Sequence, residues 1–234
     1  MPDGDSNPTS ITGPPRLEAV FFDADGVLID SLSEHLAFCA DEVRKFNLPV
    51  RVPPADAFRS IVAGGAPVSP MLAFFSTVGF PEEYAHRAAA DYEREFHRRY
   101  RPERFAGTDA MLAEVQRSGL ALGLVTANTR RNIESEMGDA MHFFDPRCTF
   151  FLDTFAPQTT KAWCLEEGAR RLDVAPQACA YVGDQPDDRK AAHEAGCRFV
   201  GVAYGWGITS DQGGSQTARS VSALPKILSP ATTP

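Results

Sequence analysis

The chain has 234 residues, of which 43% are hydrophobic and 23% are charged, a composition typical of a soluble globular protein with a sizeable core. Its formal net charge of −8 argues against a nucleic-acid partner, since no basic face is needed to explain the charge balance. No apolar run approaches the length that spans a membrane, so the composition also argues against a membrane protein.

The chain begins with MPDGDSNPTSITGPP, and we predict that residues 1–16 form a flexible tail. This segment lacks the apolar stretch of a secretory signal. The five cysteines are odd in number and widely spaced, which does not indicate a disulfide framework. We therefore expect a cytoplasmic protein. The last residues, 229–234, are predicted to form a second tail.

The first predicted strand is LEAVFF, residues 17–22, and two carboxylates follow it at once. Asp23 and Asp25 come directly after the apolar run Val20, Phe21 and Phe22. A carboxylate next to a packed core is costly unless another group pairs with it. Either the strand ends in solvent, or the two acids have a function.

The stretch from residue 32 to residue 102 predicts helices and no strand. Apolar residues recur at helical spacing at its start, and PEEYAHRAAADYEREFHRRY has acids near its beginning and bases near its end, as suits a helix dipole. We predict an all-helical insert after the first strand. Its hinges are expected near residues 31–33 and 101–105.

From residue 103 onward, short apolar runs alternate with helical patterns. The runs are LALGLV (120–125), ACAYV (178–182), CRFVGV (197–202) and, more weakly, CTFFLDTF (148–155). The helices are TDAMLAEVQRSG, with Thr108 as a candidate N-cap residue, TTKAWCLEEGARRL and PDDRKAAHEAG. The alternation predicts an α/β fold, a doubly wound parallel sheet built from residues 17–31 and 103–228.

Polar side chains follow three of these strands. Asp23 and Asp25 follow the first, Thr126 follows LALGLV, and Asp184 follows ACAYV, while Lys161 lies near the start of the helix before ACAYV. Open parallel sheets bind ligands at the carboxyl ends of their strands. Oxygen-rich groups at that edge favour a hard divalent cation such as Mg²⁺, held by Asp23, Asp184 and the backbone carbonyl of Asp25.

The same groups suit phosphoryl transfer. A carboxylate attacks a phosphoryl group and becomes an aspartyl-phosphate, provided that a metal and a lysine neutralise the charge. A second group must protonate the leaving oxygen and later activate water. Asp25 suits that role because residues i and i+2 of an extended segment point to the same side.

The segments DADGVLIDS, LVTAN and VGDQPDD, together with Lys161, resemble the four motifs of the haloacid dehalogenase (HAD) superfamily. The resemblance is strongest to its phosphoglycolate phosphatase-like and β-phosphoglucomutase-like branch, in which a helical cap is inserted between the first two motifs. The resemblance implies that Asp23 is the nucleophile and a metal ligand, and that Asp25 is the general acid/base with its carbonyl on the metal. It implies that the phosphoryl group is bound by Thr126, Ala127 and Asn128, with Lys161 as the bridge between nucleophile and phosphate. It also implies that Asp184 and Asp188 lie at Mg²⁺.

Some features leave alternatives open. Asp187 competes with Asp188 for the metal, and APQTTKAWC lacks the Lys-Pro pair common in this branch, which leaves the register of Lys161 open. In the cap, His35 occupies the place where many relatives carry a histidine, and it is either a substrate contact or a helix histidine. Arg59 either receives a substrate anion or is a surface charge.

The function that this pattern favours is a Mg²⁺-dependent phosphatase acting on a small phosphorylated metabolite. A hexose-phosphate mutase is the alternative that His35 permits, although mutase-like relatives usually have Glu-Asp where this chain has Gly183 and Asp184. A non-enzymatic phospho-acceptor module is the alternative from another class. Such receivers lack a helical insert after the first strand. The sequence names neither the substrate nor the oligomeric state.

Overall fold

The computed structural model describes residues 15–154, 159–209 and 216–229. In chain order its strands are β1 Ala19–Phe22, β2 Ile29–Asp30, β3 Glu103–Arg104, β4 Ala121–Val125, β5 Thr149–Phe150, β6 Cys179–Gly183, β7 Arg198–Val202 and β8 Thr217–Ala218. Its α-helices are α1 Leu32–Phe46, α2 Ala55–Ala63, α3 Met71–Val78, α4 Glu82–Arg99, α5 Thr108–Arg117, α6 Arg130–Met137, α7 Lys161–Leu172, α8 Pro186–Glu194 and α9 Leu224–Leu228.

Six of the described strands form one parallel sheet in the order β5-β4-β1-β6-β7-β8. The chain runs from β1 outward to β4 and β5, and then crosses to β6 on the other side of β1. The strand order therefore reverses at β1, which is where open α/β sheets form their ligand sites. The predicted α/β fold is confirmed.

The sheet is covered on both faces because side chains alternate along β1. Val20 and Phe22 pack with the apolar side chains of α5 and α9. Ala19 and Phe21 point to the opposite face, where they pack with α7 and α8. Both faces of β1 are fully buried, which accounts for the unbroken apolar run that preceded Asp23 in the sequence.

The helices α1 to α4 lie together between β2 and β3, and we call this group the cap. Its core is aromatic and contains the buried side chains Phe38, Phe58, Phe74, Phe75, Tyr92 and Phe96. β2 and β3 pair antiparallel at the two chain crossings between sheet and cap. The exact division into residues 17–31 and 103–228, residues 32–102 and two tails stays a prediction, and most of both tails lies outside the described residues.

One local prediction is confirmed only in part, and another was wrong. Of CTFFLDTF only Thr149 and Phe150 form a strand, and a 3₁₀ turn follows at Leu152–Thr154; Phe155 lies outside the described residues. Thr108 is the first residue of α5, after Gly107 as N-cap residue with φ +87°. Its hydroxyl instead donates to the carbonyl of Leu28 at 3.3 Å, so it ties α5 to the turn after β1.

The remaining general predictions concern cysteines and membranes. All five cysteines lie in the described ranges, where each is buried and free. None of the helices in those ranges has the length and apolar character that a membrane crossing requires.

Candidate active site

Lys161 lies between two carboxylates at the edge of the sheet. Its Nζ donates to Asp23 Oδ2 and to Asp188 Oδ1, both at 2.7 Å. Thr160 is the N-cap residue of α7 and accepts from the backbone N–H of Trp163, so Lys161 is the first residue of the helix. Burial opposes its charge, but the negative charges of Asp188 and Asp23 hold the pKa of Lys161 well above its ordinary value.

Asp188 is fixed by the start of α8. Its Oδ2 accepts from the backbone N–H groups of Asp184, at 3.1 Å, and Gln185, at 3.0 Å. Its Oδ1 also accepts from the hydroxyl of Tyr181 at 3.2 Å. The neighbouring Asp187 is exposed. Of the two acids that the sequence left in competition, the structure brings only Asp188 to the cluster.

Three buried carboxylates converge here. Asp23, Asp184 and Asp188 each offer an oxygen within 4.8 Å of the others. Burial raises the pKa of Asp23 to about 7 even though Lys161 opposes the shift, and burial also holds the pKa of Asp184 well above its ordinary value. One ammonium group faces these three acids, so the cluster carries excess negative charge when the acids are ionised.

The partners of Asp184 fit a divalent cation. Its Oδ2 accepts from the backbone N–H of Trp206 at 2.6 Å. Its Oδ1 is buried and has no hydrogen-bond partner among the described residues. A buried carboxylate oxygen without a partner is costly, and carboxylate oxygens are what Mg²⁺ prefers. The residues present therefore suit a hard cation next to Asp23.

Asp25 is held separately from this cluster, although only Ala24 separates it from Asp23. Its Oδ1 accepts from the hydroxyl of Ser31 at 2.5 Å, and its Oδ2 accepts from the side-chain amide of Asn128 at 2.9 Å. The turn that follows needs a glycine. Gly26 has φ +76°, and a Cβ there would lie 2.2 Å from Asp184 Oδ2.

The loop after β4 presents the residues of LVTAN. Thr126 is buried, and its Oγ1 accepts from the backbone N–H of Asn128 at 3.1 Å. Asn128 is fixed through Oδ1, which accepts from the N–H of Thr129 at 2.8 Å and from the amide of Asn132 at 2.9 Å. Thr126, Ala127 and Asn128 all border the same cavity as Asp23.

The cavity is partly open and has a volume of about 30 Å³, which is room for about two water molecules. It is lined by Asp23, Asp25, His35, Val68, Ser69, Pro70, Met71, Thr126, Ala127, Asn128, Lys161, Gln185 and Trp206. The wall opposite the acids belongs largely to the cap.

The cap residues singled out in the sequence differ in their positions. His35 lines the cavity, but both ring nitrogens bind within the protein: Nδ1 lies 2.6 Å from the carbonyl of Ser31 and Nε2 lies 2.9 Å from the hydroxyl of Tyr92. Arg59 does not line the cavity. Its Nε donates to the carbonyl of Gly205 at 3.3 Å, and its guanidinium pairs with Asp56.

Two further residues at the site were not predicted from the sequence. Tyr92 is fully buried in the aromatic core of the cap, and its hydroxyl forms hydrogen bonds with Asn128 and His35. In the sequence, its helix shows only the pattern of an amphipathic charged segment. Gln185 lines the cavity from the start of α8. Neither position is marked by composition or spacing, because each depends on how cap and sheet meet.

Known proteins are similar to this chain over most of its length. A sequence model of the family described as haloacid dehalogenase-like hydrolase matches residues 20–202. A phosphoglycolate phosphatase of Xanthomonas campestris pv. campestris is 29% identical over 207 residues, covering 82% of this chain and 86% of that protein. An N-acetylmuramic acid 6-phosphate phosphatase of Pseudomonas putida is 27% identical over 200 residues, covering 82% and 85%.

Solved structures share the fold. A haloacid dehalogenase-like family hydrolase from Streptococcus pneumoniae aligns with a TM-score of 0.71 at 20% identity, over 89% of this chain and 96% of that one. CbbY from Rhodobacter sphaeroides, solved in complex with phosphate, aligns with a TM-score of 0.68 at 18% identity, over the same shares of the two chains.

Proposed function

Because the chain belongs to the haloacid dehalogenase-like hydrolases and is a phosphomonoester hydrolase, we propose that it cleaves a small phosphomonoester in a Mg²⁺-dependent reaction through an aspartyl-phosphate on Asp23. The observation that carries this proposal is the contact of Lys161 with Asp23 at 2.7 Å, inside a cluster of three buried carboxylates. The buried Oδ1 of Asp184, which has no hydrogen-bond partner among the described residues, supports a cation at the same cluster.

Asp23, Asp184 and the backbone carbonyl of Asp25 would hold the cation, with Asp188 next to them. When bound, Mg²⁺ supplies positive charge that offsets the cluster and the phosphoryl oxygens. Lys161 contributes a further positive charge next to Asp23, because its Nζ lies 2.7 Å from Oδ2. Asp188 keeps that ammonium group in place through its own contact at 2.7 Å.

In the proposed first step, a carboxylate oxygen of Asp23 attacks phosphorus and the bond to the alcohol oxygen breaks. Asp25 gives a proton to the departing oxygen. Thr126, together with the backbone of Ala127 and Asn128, binds the phosphoryl oxygens. In the second step Asp25 takes a proton from water, which attacks the aspartyl-phosphate and returns Asp23 as a carboxylate with inorganic phosphate as product.

The cap has a role in this scheme. We assign residues 32–102 to it, with hinges at the crossings marked by β2 and β3. The cap borders the cavity of about 30 Å³ beside Asp23, and its closure over a bound substrate would limit the access of bulk water during transfer. Substrate selection would then depend on Val68, Ser69, Pro70 and Met71, which form the cap side of the cavity.

No observation favours the mutase alternative, because His35 uses both ring nitrogens inside the protein. The test is a phosphate-release screen with Mg²⁺ and with excess EDTA. It includes phosphoglycolate and N-acetylmuramic acid 6-phosphate, the compounds named for the two relatives, besides other sugar phosphates and nucleotides. We expect repeated turnover of at least one compound in Mg²⁺ and none in the Asp23→Asn variant. Full turnover in EDTA, or equal turnover by Asp23→Asn, would overturn the proposal.

A further inference from the structure

Asp25 belongs to a closed ring of hydrogen bonds that crosses from the sheet into the cap and back. The ring starts at the carbonyl of Ser31, passes through His35, Tyr92 and Asn128 to Asp25, and returns to the hydroxyl of Ser31. Ser31, His35, Tyr92 and Asn128 are all buried. Each hydrogen bond in the ring spans 2.5 to 3.2 Å between heavy atoms.

The chemistry of the partners fixes the direction of each bond. The Ser31 carbonyl accepts only, so His35 carries its proton on Nδ1 and donates there. The oxygen of the Tyr92 hydroxyl accepts from the amide of Asn128, so its own hydrogen is left to donate to Nε2 of His35. Burial, with the charges of Asp25 and Glu136, holds the pKa of Tyr92 well above its ordinary value, so this phenol keeps its proton.

Asn128 supplies the other half of the ring. Its Oδ1 is occupied by the N–H of Thr129, which fixes its amide nitrogen toward the ring. That nitrogen has two hydrogens. One goes to the hydroxyl oxygen of Tyr92 at 3.2 Å and the other to Asp25 Oδ2 at 2.9 Å. The tyrosine of the cap and the acid of the sheet therefore share one donor group.

We propose that Tyr92 is a positioning residue that couples closure of the cap to the orientation of Asp25. Tyr92 lies on α4, whereas Asp25 and Asn128 lie on the sheet side, so the Tyr92–Asn128 bond forms only when the cap is closed. In the closed form it holds the amide of Asn128, and thereby the carboxyl of Asp25, at the cavity. This inference rests on the proposed role of Asp25 as proton donor and acceptor.

The position of Asp25 matters most when the departing oxygen needs a proton. An alkoxide is a poor leaving group and needs proton donation, whereas a nitrophenolate leaves without it. Loss of the Tyr92 hydroxyl should therefore affect alkyl phosphates more than aryl phosphates. A change that merely loosened the fold would affect both compounds equally.

The experiment compares Tyr92→Phe with the wild type, with an alkyl phosphate found in the screen and with p-nitrophenyl phosphate. We expect kcat/KM to fall about tenfold for the alkyl phosphate and less than about twofold for the aryl phosphate. The control is Tyr100→Phe, which removes a hydroxyl that binds Asp41 within the cap; it should leave the ratio of the two kcat/KM values unchanged. If Tyr92→Phe lowered kcat/KM by the same factor for both compounds, or lowered neither, the proposed role of Tyr92 would be overturned.

A second measurement needs no turnover. In ¹⁵N-resolved NMR spectra of the whole wild-type protein, His35 should show a protonated Nδ1 and an unprotonated Nε2, and Tyr92→Phe should shift the Nε2 resonance. A proton on Nε2 would contradict the ring. If the wild type releases no phosphate from any compound, the proposed function fails and the role of Tyr92 fails with it. If Tyr100→Phe changed the ratio of the two kcat/KM values relative to the wild type, that result would also count against the proposal.

Discussion

The ammonium group of Lys161 lies 2.7 Å from the carboxylate of Asp23, although 138 positions of the chain separate the two residues. The fold makes this contact because β1 ends at the centre of the sheet and α7 begins beside it. The side chain of Asp23 is buried and that of Lys161 is only 16% exposed, so each charge is poorly solvated and is stabilised by the other. The pair is therefore fixed by the packing of the core, before any substrate arrives.

The first prediction concerns that pair. Lys161→Met removes the positive charge between Asp23 and Asp188, and we expect kcat to fall by about 10²-fold or more, since this group would offset charge on the phosphoryl oxygens. The measurement is phosphate release at saturating Mg²⁺ and substrate. Lys226→Met, at an exposed position of α9, is the matched control and should retain activity. A Lys161→Met enzyme as active as this control would contradict the assignment.

The second prediction concerns the cation and uses thermal unfolding. Mg²⁺ should raise the Tm of the wild type because it binds the folded carboxylate cluster, and a concentration of one hundred times Kd corresponds to about 2.7 kcal/mol. Asp184→Ala should lose this rise, whereas Asp187→Ala, at an exposed position next to the cluster, should keep it. A Mg²⁺-induced rise of equal size in all three proteins would place the cation elsewhere.

The sequence predicted the sheet and its edge well because both depend on strong local signals. The runs that became β1, β4, β6 and β7 are short, apolar and bounded by polar residues, and the groups that follow them converge through topology alone. Asp23, Thr126, Lys161 and Asp184 were therefore within reach of sequence reasoning.

The contacts of the cap were not within reach of the sequence. Tyr92 meets His35 only after α4 has packed against α1, and it meets Asn128 only after the cap has packed against the sheet; no spacing encodes that docking. Arg59 is an example of the same difficulty, because its charge suggested an anion contact but its partners are Asp56 and the carbonyl of Gly205. Short strands such as β5 depend on neighbouring strands rather than on local propensity.

The third prediction concerns pH and stability. Burial, reinforced by the charges of Asp25 and Glu34, raises the pKa of Glu136 from 4.5 to about 9, and both its carboxyl oxygens lack partners among the described residues. The folded state therefore holds a proton that the unfolded state loses above pH 4.5. The contribution of this proton to the free energy of unfolding is complete below pH 4.5. It declines by about 1.4 kcal/mol per pH unit as the pH rises toward 9.

This pH dependence is tested by urea unfolding of the wild type and of Glu136→Gln between pH 5 and pH 9. The free energy of unfolding of the variant should decline less with rising pH, because its amide carries no titrating proton. Glu134→Gln, on the exposed face of the same helix, should follow the wild type. Parallel curves for wild type and Glu136→Gln would show that Glu136 is ionised in the folded protein.

The fourth prediction concerns cap closure. A Cβ on Gly207 would lie 2.6 Å from Cγ1 of Val62 on α2, so this glycine lets the cap approach the sheet. We expect Gly207→Ala to lower kcat/KM by about tenfold, since a small displacement of the closed cap misplaces the reacting groups. The double variant Gly207→Ala with Val62→Ala should recover activity relative to Gly207→Ala, with Val62→Ala alone as reference. A failure to recover would mean that the contact with Val62 is not what limits closure.

The account depends most directly on the different roles of Asp23 and Asp25. Asp25→Asn keeps the nucleophile but loses the base for hydrolysis, so p-nitrophenyl phosphate should label it and the label should persist. Asp23→Asn lacks the attacking carboxylate and should remain unlabelled. The measurement is the intact mass of each variant after acid quenching. We predict the added mass of one phosphoryl group on Asp25→Asn alone, and a phosphoryl adduct on Asp23→Asn would contradict the account.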